Sequence, residues 1–188
     1  SWAQLQTALG ERGLTFTPSG GGLVLTDLAT GAALAKSSQV GPAYLDLVRR
    51  FWDTLYAKDF DGLKAFFDER SQYWDVPTGP EAAAVGPDDI DGRLRLGLEP
   101  LAGYHHLITA MVAGDDIVVT EHAETWEWHT GETVTLPFVS MQRIRDGVIG
   151  RWTDYWNMPT LMDAAPEWWH ERLFTSDLAW LTDLSGEV

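Results

Sequence analysis

Four consecutive strand-like segments in the second half of the chain constrain its fold more than any other feature. They are rich in β-branched and aromatic residues and run from Tyr104 to Val112, Ile117 to Trp128, Glu132 to Ile144 and Val148 to Trp156. Each junction contains a turn-forming pair: Gly114-Asp115, Thr130-Gly131 and Asp146-Gly147. Strands joined by such hairpins pair antiparallel, so the pattern predicts one antiparallel sheet.

Helical patterns precede this sheet. Apolar residues recur at three-and-four spacing from Pro42 to Tyr56, and a shorter helix is expected around Asp61 to Phe67. After a short strand at Ser71 to Val76, Pro87 begins a helix that runs to about Leu98. This segregation predicts an α+β fold, in which helices pack on one face of a curved, mostly antiparallel sheet. Such a sheet forms a cone whose interior can hold a ligand.

The first 41 residues differ from the rest. Residues 1–41 contain two acidic and two basic residues, so residues 42–188 carry all of the net charge of -15. Apolar residues at helical spacing from Trp2 to Leu9 predict a short helix, and Leu14 to Thr17 with Leu23 to Thr26 predict a β-hairpin. We therefore expect a small N-terminal α/β appendage at 1–41 and a cone domain at 42–188.

Composition excludes several classes of partner. The 28 acidic residues against 13 basic ones make nucleic acid and anionic membranes poor partners. The chain has no cysteine, so thiolate metal sites and a cysteine nucleophile are excluded. No uninterrupted apolar segment reaches membrane-spanning length, and the first residues lack the basic start of a signal peptide. We expect a cytoplasmic protein.

Candidate functional residues follow from side-chain alternation along the strands. In the last strand, Asp154 shares a face with Trp152 and Trp156, so it either has a partner or has its pKa raised by lost hydration. The alternative is that Asp154 is half exposed beside a surface tryptophan pair. In the second long strand, His122 and Glu124 share a face with two tryptophans, which predicts that both are buried.

The sequence resembles a known family at this point. The segments "YWDVP", "TEHAETW" and "VTLPFVSMQRIRDGVIGRWTDYWNMPTL" resemble the limonene-1,2-epoxide hydrolase and SnoaL-like polyketide cyclase branch of the nuclear transport factor 2-like superfamily. The resemblance spans roughly residues 42–165, and "RDGVIGRWTDYW" is its most specific part. It implies the cone fold, a small apolar substrate, no metal or organic cofactor, and a homodimer packed through the sheet.

The resemblance also implies catalytic roles. The water-activating aspartate of the hydrolases falls on Asp154 and their tyrosine on Tyr73. Their water-binding asparagine is replaced by Asp75, their bridging arginine by His122 and their proton-donating aspartate by Glu124. The histidine exchanges a permanent cation for a group that can itself move protons. The expected pocket residues are Trp126, Trp152, Trp156, His106 and Phe138.

Three functional classes remain open from the sequence. The first and favoured class is a cofactor-free epoxide hydrolase, and the second is an isomerase or SnoaL-like cyclase, which the histidine at position 122 favours. The third is a ligand-binding domain without catalysis. A buried polar network that only stiffens the sheet would explain the same residues. The tail tryptophans Trp168, Trp169 and Trp180 are expected to pack the tail or to form a subunit contact.

Overall fold

The computed structural model describes residues 6–7, 9–11, 13–19, 22–36, 42–114 and 116–187. Its main sheet has six strands in the order β5-β4-β9-β8-β7-β6. These strands are β4 Gln72–Asp75, β5 Ala84–Val85, β6 Leu101–Ala113, β7 Ile117–Trp128, β8 Thr133–Arg145 and β9 Val148–Tyr155. The four predicted long strands and their antiparallel pairing are confirmed. The pair β4 and β9 is parallel, so the sheet is mixed.

Five helices lie within residues 42–114 and 116–187. They are α1 Pro42–Tyr56, α2 Phe60–Leu63, α3 Pro87–Leu98, α4 Met158–Ala164 and α5 Glu167–Thr175, with short 3-10 turns at Lys64–Phe66 and Pro80–Ala82. Pro42 and Pro87 begin their helices as predicted, because the fixed φ of proline suits a first helical position. The predicted α+β class, with helices against a curved sheet, is confirmed. None of the described helices is long and apolar enough to cross a membrane.

The main core lies between α1 and the inner face of the sheet. Phe51 and Trp52 of α1 are almost completely buried and meet Trp152 of β9 edge to face, at ring-centroid distances of 4.9 and 5.7 Å. Edge-to-face contacts bring the positive ring edge onto the negative face of the neighbouring ring. This aromatic layer fills the cone beneath α1, and the remaining space lies toward α3 and the tail.

The N-terminal segment forms a second, three-stranded sheet. The predicted hairpin is confirmed as β1 Leu14–Ser19 with β2 Gly22–Asp27, while a third strand, β3 Ala33–Lys36, was missed. Phe16 and Leu25 pack with Ile117 and Val119, which point to the outer face of β7. The predicted helix from Trp2 to Leu9 is helical at residues 6, 7 and 9. Trp2 and Leu5 lie outside the described residues.

Candidate active site

A cavity of about 430 Å³ opens between the inner face of the sheet, α3 and the C-terminal tail. This is within the size range of small-molecule pockets. Its walls are mostly apolar, and the aromatic members include Trp126, Phe138, Trp152, Trp156, Trp169, Phe174 and Trp180. The polar groups that reach it are Tyr73, Asp75, Thr78, Arg93, Tyr104, Glu124 and Asp154.

Asp154 lies on β9 and is 3% exposed, which rules out the half-exposed alternative. Alternation along the strand puts the Trp152 indole on the same face, and its N–H donates to Asp154 Oδ1 at 2.5 Å. The Tyr73 hydroxyl lies 3.5 Å from Asp154 Oδ2. One carboxyl oxygen is therefore held by an indole, while the other faces a phenol at the cavity wall.

Asp75 stands beside Asp154 because β4 and β9 pair in parallel with these two residues in register. Neighbouring strands lie about 4.8 Å apart, so two carboxyl groups share one small region. Asp75 Oδ1 accepts from the Tyr73 hydroxyl at 3.1 Å and from the Trp156 indole at 2.8 Å. Asp75 thus accepts more hydrogen bonds from side chains than are needed to position a single water molecule.

Arg93 of α3, which was not among the residues expected from the sequence, supplies the cation of the site. Arg93 Nη2 donates to Asp75 Oδ2 at 2.7 Å, and its guanidinium lies 5.1 Å from the centroids of both Tyr73 and Trp180. A signal was present, because Arg93 falls on the apolar stripe that holds Ile90, Leu94 and Leu98 of the same helix. An arginine on a buried stripe needs an anion as its partner.

The pKa of Asp154 is raised well above its usual range. Burial is the largest cause, since it disfavours the ionised carboxylate, and the neighbouring Asp75 charge adds to the effect. Arg93 forms its ion pair with Asp75 and not with Asp154. Asp154 is consequently the member of the pair that exchanges a proton.

Glu124 lies on β7, is 3% exposed and forms the second carboxyl centre. The Tyr104 hydroxyl donates to Oε1 at 3.0 Å, Tyr56 donates to the same oxygen, and the Trp126 indole donates to Oε2 at 3.0 Å. Burial nevertheless dominates and raises the pKa of Glu124 to about 7. A carboxyl with this pKa is available as both acid and base at neutral pH.

The structure buries His122, as predicted, but not at the cavity. His122 is not among the described residues that line the cavity, and its Nε2 lies 3.0 Å from Ser140 Oγ. Burial, followed by the nearby His106, lowers the pKa of His122 to about 3, so the imidazole is neutral. His106 is likewise outside the described lining and packs against Tyr56 at an interplanar angle of 35°, with ring centroids 3.5 Å apart. The other four expected pocket residues line the cavity.

Comparison with known proteins identifies the family. A model of the SnoaL-like domain matches residues 48–153, which is more than half of the chain. The chain belongs to the SnoaL-like domain family. This places it in the nuclear transport factor 2-like superfamily, in agreement with the sequence resemblance. A comparison with curated protein sequences finds no significant match.

Solved structures share the fold of this SnoaL-like protein at low sequence identity. An LEH-like epoxide hydrolase from M. tuberculosis is 20% identical, with a TM-score of 0.56 over 65% of this chain and 88% of that chain. A putative SnoaL-like polyketide cyclase from Shewanella putrefaciens is 17% identical, with a TM-score of 0.59 over 66% and 97%. A hypothetical protein with a ketosteroid isomerase-like fold from Catenulispora acidiphila, in complex with trimethylamine, is 19% identical, with a TM-score of 0.57 over 66% and 93%.

The C-terminal tail of this SnoaL-like protein packs against the domain, which is one of the two roles expected for its tryptophans, and it also closes part of the cavity. Trp169 is buried, and its indole donates to the Gly97 carbonyl at 3.0 Å, which ties α5 to α3. Trp180 also lines the cavity, as does Phe174, although Phe174 is 79% exposed. An exposed phenylalanine at a cavity wall marks the mouth, so apolar molecules meet an apolar entrance.

The polar groups of this SnoaL-like site suit proton transfer. Among the described residues, no group of three or more His, Asp or Glu side chains is arranged to hold a metal ion. Asp154 and Glu124 both have raised pKa values and both reach the same cavity. Two separated carboxyls of this kind can hold one proton and accept another, which is the requirement of general acid–base chemistry.

The pair Arg93 and Asp75 allows a stability prediction. Arg93→Met should lower the free energy of unfolding by about 3 kcal/mol, because it leaves a carboxylate without its cation in a largely dry site. The side chains of Arg93 and Asp75 are only 9% and 13% exposed, so solvent screening is weak. Chemical denaturation measures the loss. The double variant Arg93→Met with Asp75→Asn should recover part of the lost free energy of unfolding. A loss below about 1 kcal/mol in Arg93→Met would contradict the assignment of Arg93 and Asp75 as a buried ion pair.

Proposed function

We propose that this protein is a cofactor-free acid–base enzyme that opens the epoxide of a small apolar molecule with an activated water. One observation carries the proposal: Asp154 and Glu124, both with raised pKa values, reach one apolar cavity from two different strands. The strands β9 and β7 flank β8, and Glu124 lies four residues along β7 from the position level with Asp154, so the backbones of the two residues lie roughly 16 Å apart. That separation leaves room for a water and a three-membered ring between base and acid.

The proposed roles follow from the contacts of each carboxyl. Asp154 Oδ2 accepts the proton of a water that also contacts the Tyr73 hydroxyl, and the water attacks an epoxide carbon. Glu124 holds a proton near neutral pH because of its raised pKa, and it delivers that proton to the epoxide oxygen as the C–O bond breaks. Burial and, next to it, the charge of Asp75, which Arg93 holds in place, make Asp154 more basic.

One contact favours the second candidate, an isomerase or SnoaL-like cyclase. The Tyr73 hydroxyl is closer to Asp75, at 3.1 Å, than to Asp154, at 3.5 Å, and it donates to Asp75 in this arrangement. A tyrosine held in this way is less free to bind a water, whereas moving a proton at carbon needs no bound water. The histidine at position 122 supports this class less than the sequence indicated. His122 is neutral and lies behind the cavity wall, so it does not meet the substrate.

Isotope labelling separates the candidates. We would incubate the protein with a panel of apolar epoxides, including cyclohexene oxide and styrene oxide, in water enriched in oxygen-18. The proposal predicts a diol with one solvent oxygen, already in a single turnover with enzyme in excess, because water and not a carboxylate attacks carbon. A product of unchanged mass would support an isomerase. Binding without turnover of any panel member would support a non-catalytic domain and contradict the proposal.

Two structural expectations also belong to this proposal. We propose that residues 1–41 are an appendage without a role in chemistry, which is supported by a cavity lining that runs only from Leu55 to Leu181 within the described chain.

We also propose a homodimer, as the family resemblance implies. Light scattering on the purified protein should give twice the chain mass of 20.9 kDa, and a monomer would contradict it.

A further inference from the structure

A row of hydrogen-bonding side chains runs behind the cavity wall and joins the two carboxyl centres. Ser140 of β8 is the direct cross-strand neighbour of Asp154, so its side chain lies on the same face of the sheet as that carboxyl. His122 Nε2 lies 3.0 Å from Ser140 Oγ, and the Tyr56 hydroxyl lies 3.3 Å from His122 Nδ1. From the neighbourhood of Asp154, the row runs through Ser140 and His122 to Tyr56 of α1.

Its other end is Glu124. The Tyr56 hydroxyl is also hydrogen-bonded to Glu124 Oε1, so it contacts both His122 and the carboxyl. A phenol has one proton to donate and lone pairs that accept, so Tyr56 can donate to either neighbour while it accepts from the other. A neutral imidazole has the same property, because one ring nitrogen donates while the other accepts. Each member of the row can therefore donate a hydrogen bond to either neighbour while it accepts one from the other.

The row is shielded from bulk water. Ser140 is completely buried and His122 is 2% exposed. The His122 ring lies between Trp52 and Phe138, with centroid distances of 4.7 and 5.5 Å. Solvent therefore has poor access to Ser140 and His122 in the middle of the row. A proton that leaves the row at one end is therefore replaced by a proton that enters at the other end.

The geometry points to a proton relay in which Ser140, His122 and Tyr56 return a proton from Asp154 to Glu124 after each turnover. This inference rests on the proposed function, in which Asp154 gains the proton of the attacking water and Glu124 loses its own. Both carboxyls must exchange that proton before a second substrate can react. The relay gives the buried histidine, which does not reach the substrate, a role in turnover.

The transfer balances in protons and charge. Asp154 gives its proton to Ser140 Oγ, Ser140 passes its hydroxyl proton to His122 Nε2, and the Nδ1 proton moves to the Tyr56 oxygen. Tyr56 then passes its own hydroxyl proton to Glu124 Oε1. Ser140, His122 and Tyr56 end neutral as they began, and the imidazole has changed from the Nδ1–H to the Nε2–H tautomer. Proton exchange with water at the two ends of the row, the partly exposed Tyr56 and the cavity beside Asp154, restores the Nδ1–H tautomer before the next pass.

The tautomer of His122 offers a test that needs no substrate. When Glu124 ionises, Tyr56 must donate to it and accept from the Nδ1–H of His122. When Glu124 is protonated, Tyr56 donates to His122 Nδ1, and the Nε2–H form of the imidazole is favoured. Nitrogen-15 NMR of histidine-labelled protein should therefore show His122 changing tautomer, while staying neutral, as pH rises through about 7. Besides Tyr56 and Glu124, His106 faces this ring at 6.5 Å, and its own signals serve as a reference.

Controls decide whether the row is connected. Tyr56→Phe removes the hydroxyl and keeps the ring, so His122 in this variant should no longer follow the ionisation of Glu124. A native His122 that keeps one tautomer across this range, or that becomes a cation, would overturn the relay. Because no turnover is involved, this outcome is independent of whether the protein opens epoxides.

Transient kinetics with cyclohexene oxide test the relay in turnover. Ser140→Ala should lower steady-state kcat on the order of 10²-fold, while the first turnover slows by only a few-fold, so a burst of one product per site appears. Ser140→Thr keeps the hydroxyl and should restore much of the steady-state rate. Equal losses in the first and later turnovers would mean that Ser140 only positions Asp154, and would overturn the relay.

Discussion

Replacing Asp154 by asparagine is expected to lower kcat/KM for the epoxide by ~10²–10⁴-fold, which is the usual cost of removing one proton-transfer group. Asparagine keeps the size of the side chain and an oxygen that can accept from the Trp152 indole, which now lies at 2.5 Å. The variant loses only the ability to take a proton from water. Initial rates of diol formation measure the loss.

The structure provides controls for this experiment. Asp154→Asn should not lower the free energy of unfolding, because it removes a buried acid whose ionisation Asp75 opposes. Asp163→Asn changes an exposed aspartate of α4 in the same way and should leave the rate unchanged. An Asp154→Asn protein that keeps most of the activity would show that water is activated elsewhere.

Replacing Glu124 by glutamine is expected to lower the rate by a similar ~10²–10⁴-fold, because an amide cannot deliver the proton to the leaving oxygen. The native protein should also lose activity as pH rises above about 7, since Glu124 then ionises. The variant should lack this alkaline decline in its residual activity. A pH–rate profile of both proteins measures the difference.

The same substitution should change how stability depends on pH. The pKa of Glu124 rises from 4.5 to about 7 on folding, so its favourable contribution is complete below 4.5 and is lost as pH rises through about 7. At pH 8 the buried, ionised Glu124 then lowers the free energy of unfolding of the native protein by about 3 kcal/mol, and Glu124→Gln lacks this effect. Denaturation at pH 4 and pH 8 should show the variant gaining this amount relative to the native protein.

The matched control for this measurement lies on the same strand. Glu127 is exposed on β7, so Glu127→Gln should show no comparable gain between the two pH values. If Glu124→Gln behaves like Glu127→Gln, the carboxyl of Glu124 is hydrated in solution. The assignment of Glu124 as the proton donor would then lose its physical basis.

Side-chain alternation predicted much of the sheet and of the site. The long strands and their turn pairs fixed which residues face inward, so Asp154, Glu124 and His122 were correctly expected to be buried. The helix starts at Pro42 and Pro87 were also predictable, because proline is favourable at a first helical position. These features depend on local sequence alone.

Long-range packing determines what the sequence did not reveal. The parallel pairing of β4 with β9, which brings Asp75 beside Asp154, joins segments far apart in the chain and has no local signal. Whether an inward residue reaches the cavity depends on its neighbours, and Trp52 with Phe138 encloses His122. Arg93 was overlooked because its partner Asp75 lies on a separate strand, and the spacing of residues along the helix does not reveal that pairing.

Carbon-13 NMR of protein labelled at the side-chain carboxyls of aspartate and glutamate would test the central claim most directly. The account predicts two carboxyl resonances that titrate well above the usual range, one of them near pH 7. The resonance near pH 7 should be absent from Glu124→Gln and the other from Asp154→Asn. Ordinary titration of both carboxyls near pH 4 would contradict the assignment of these residues as an acid–base pair.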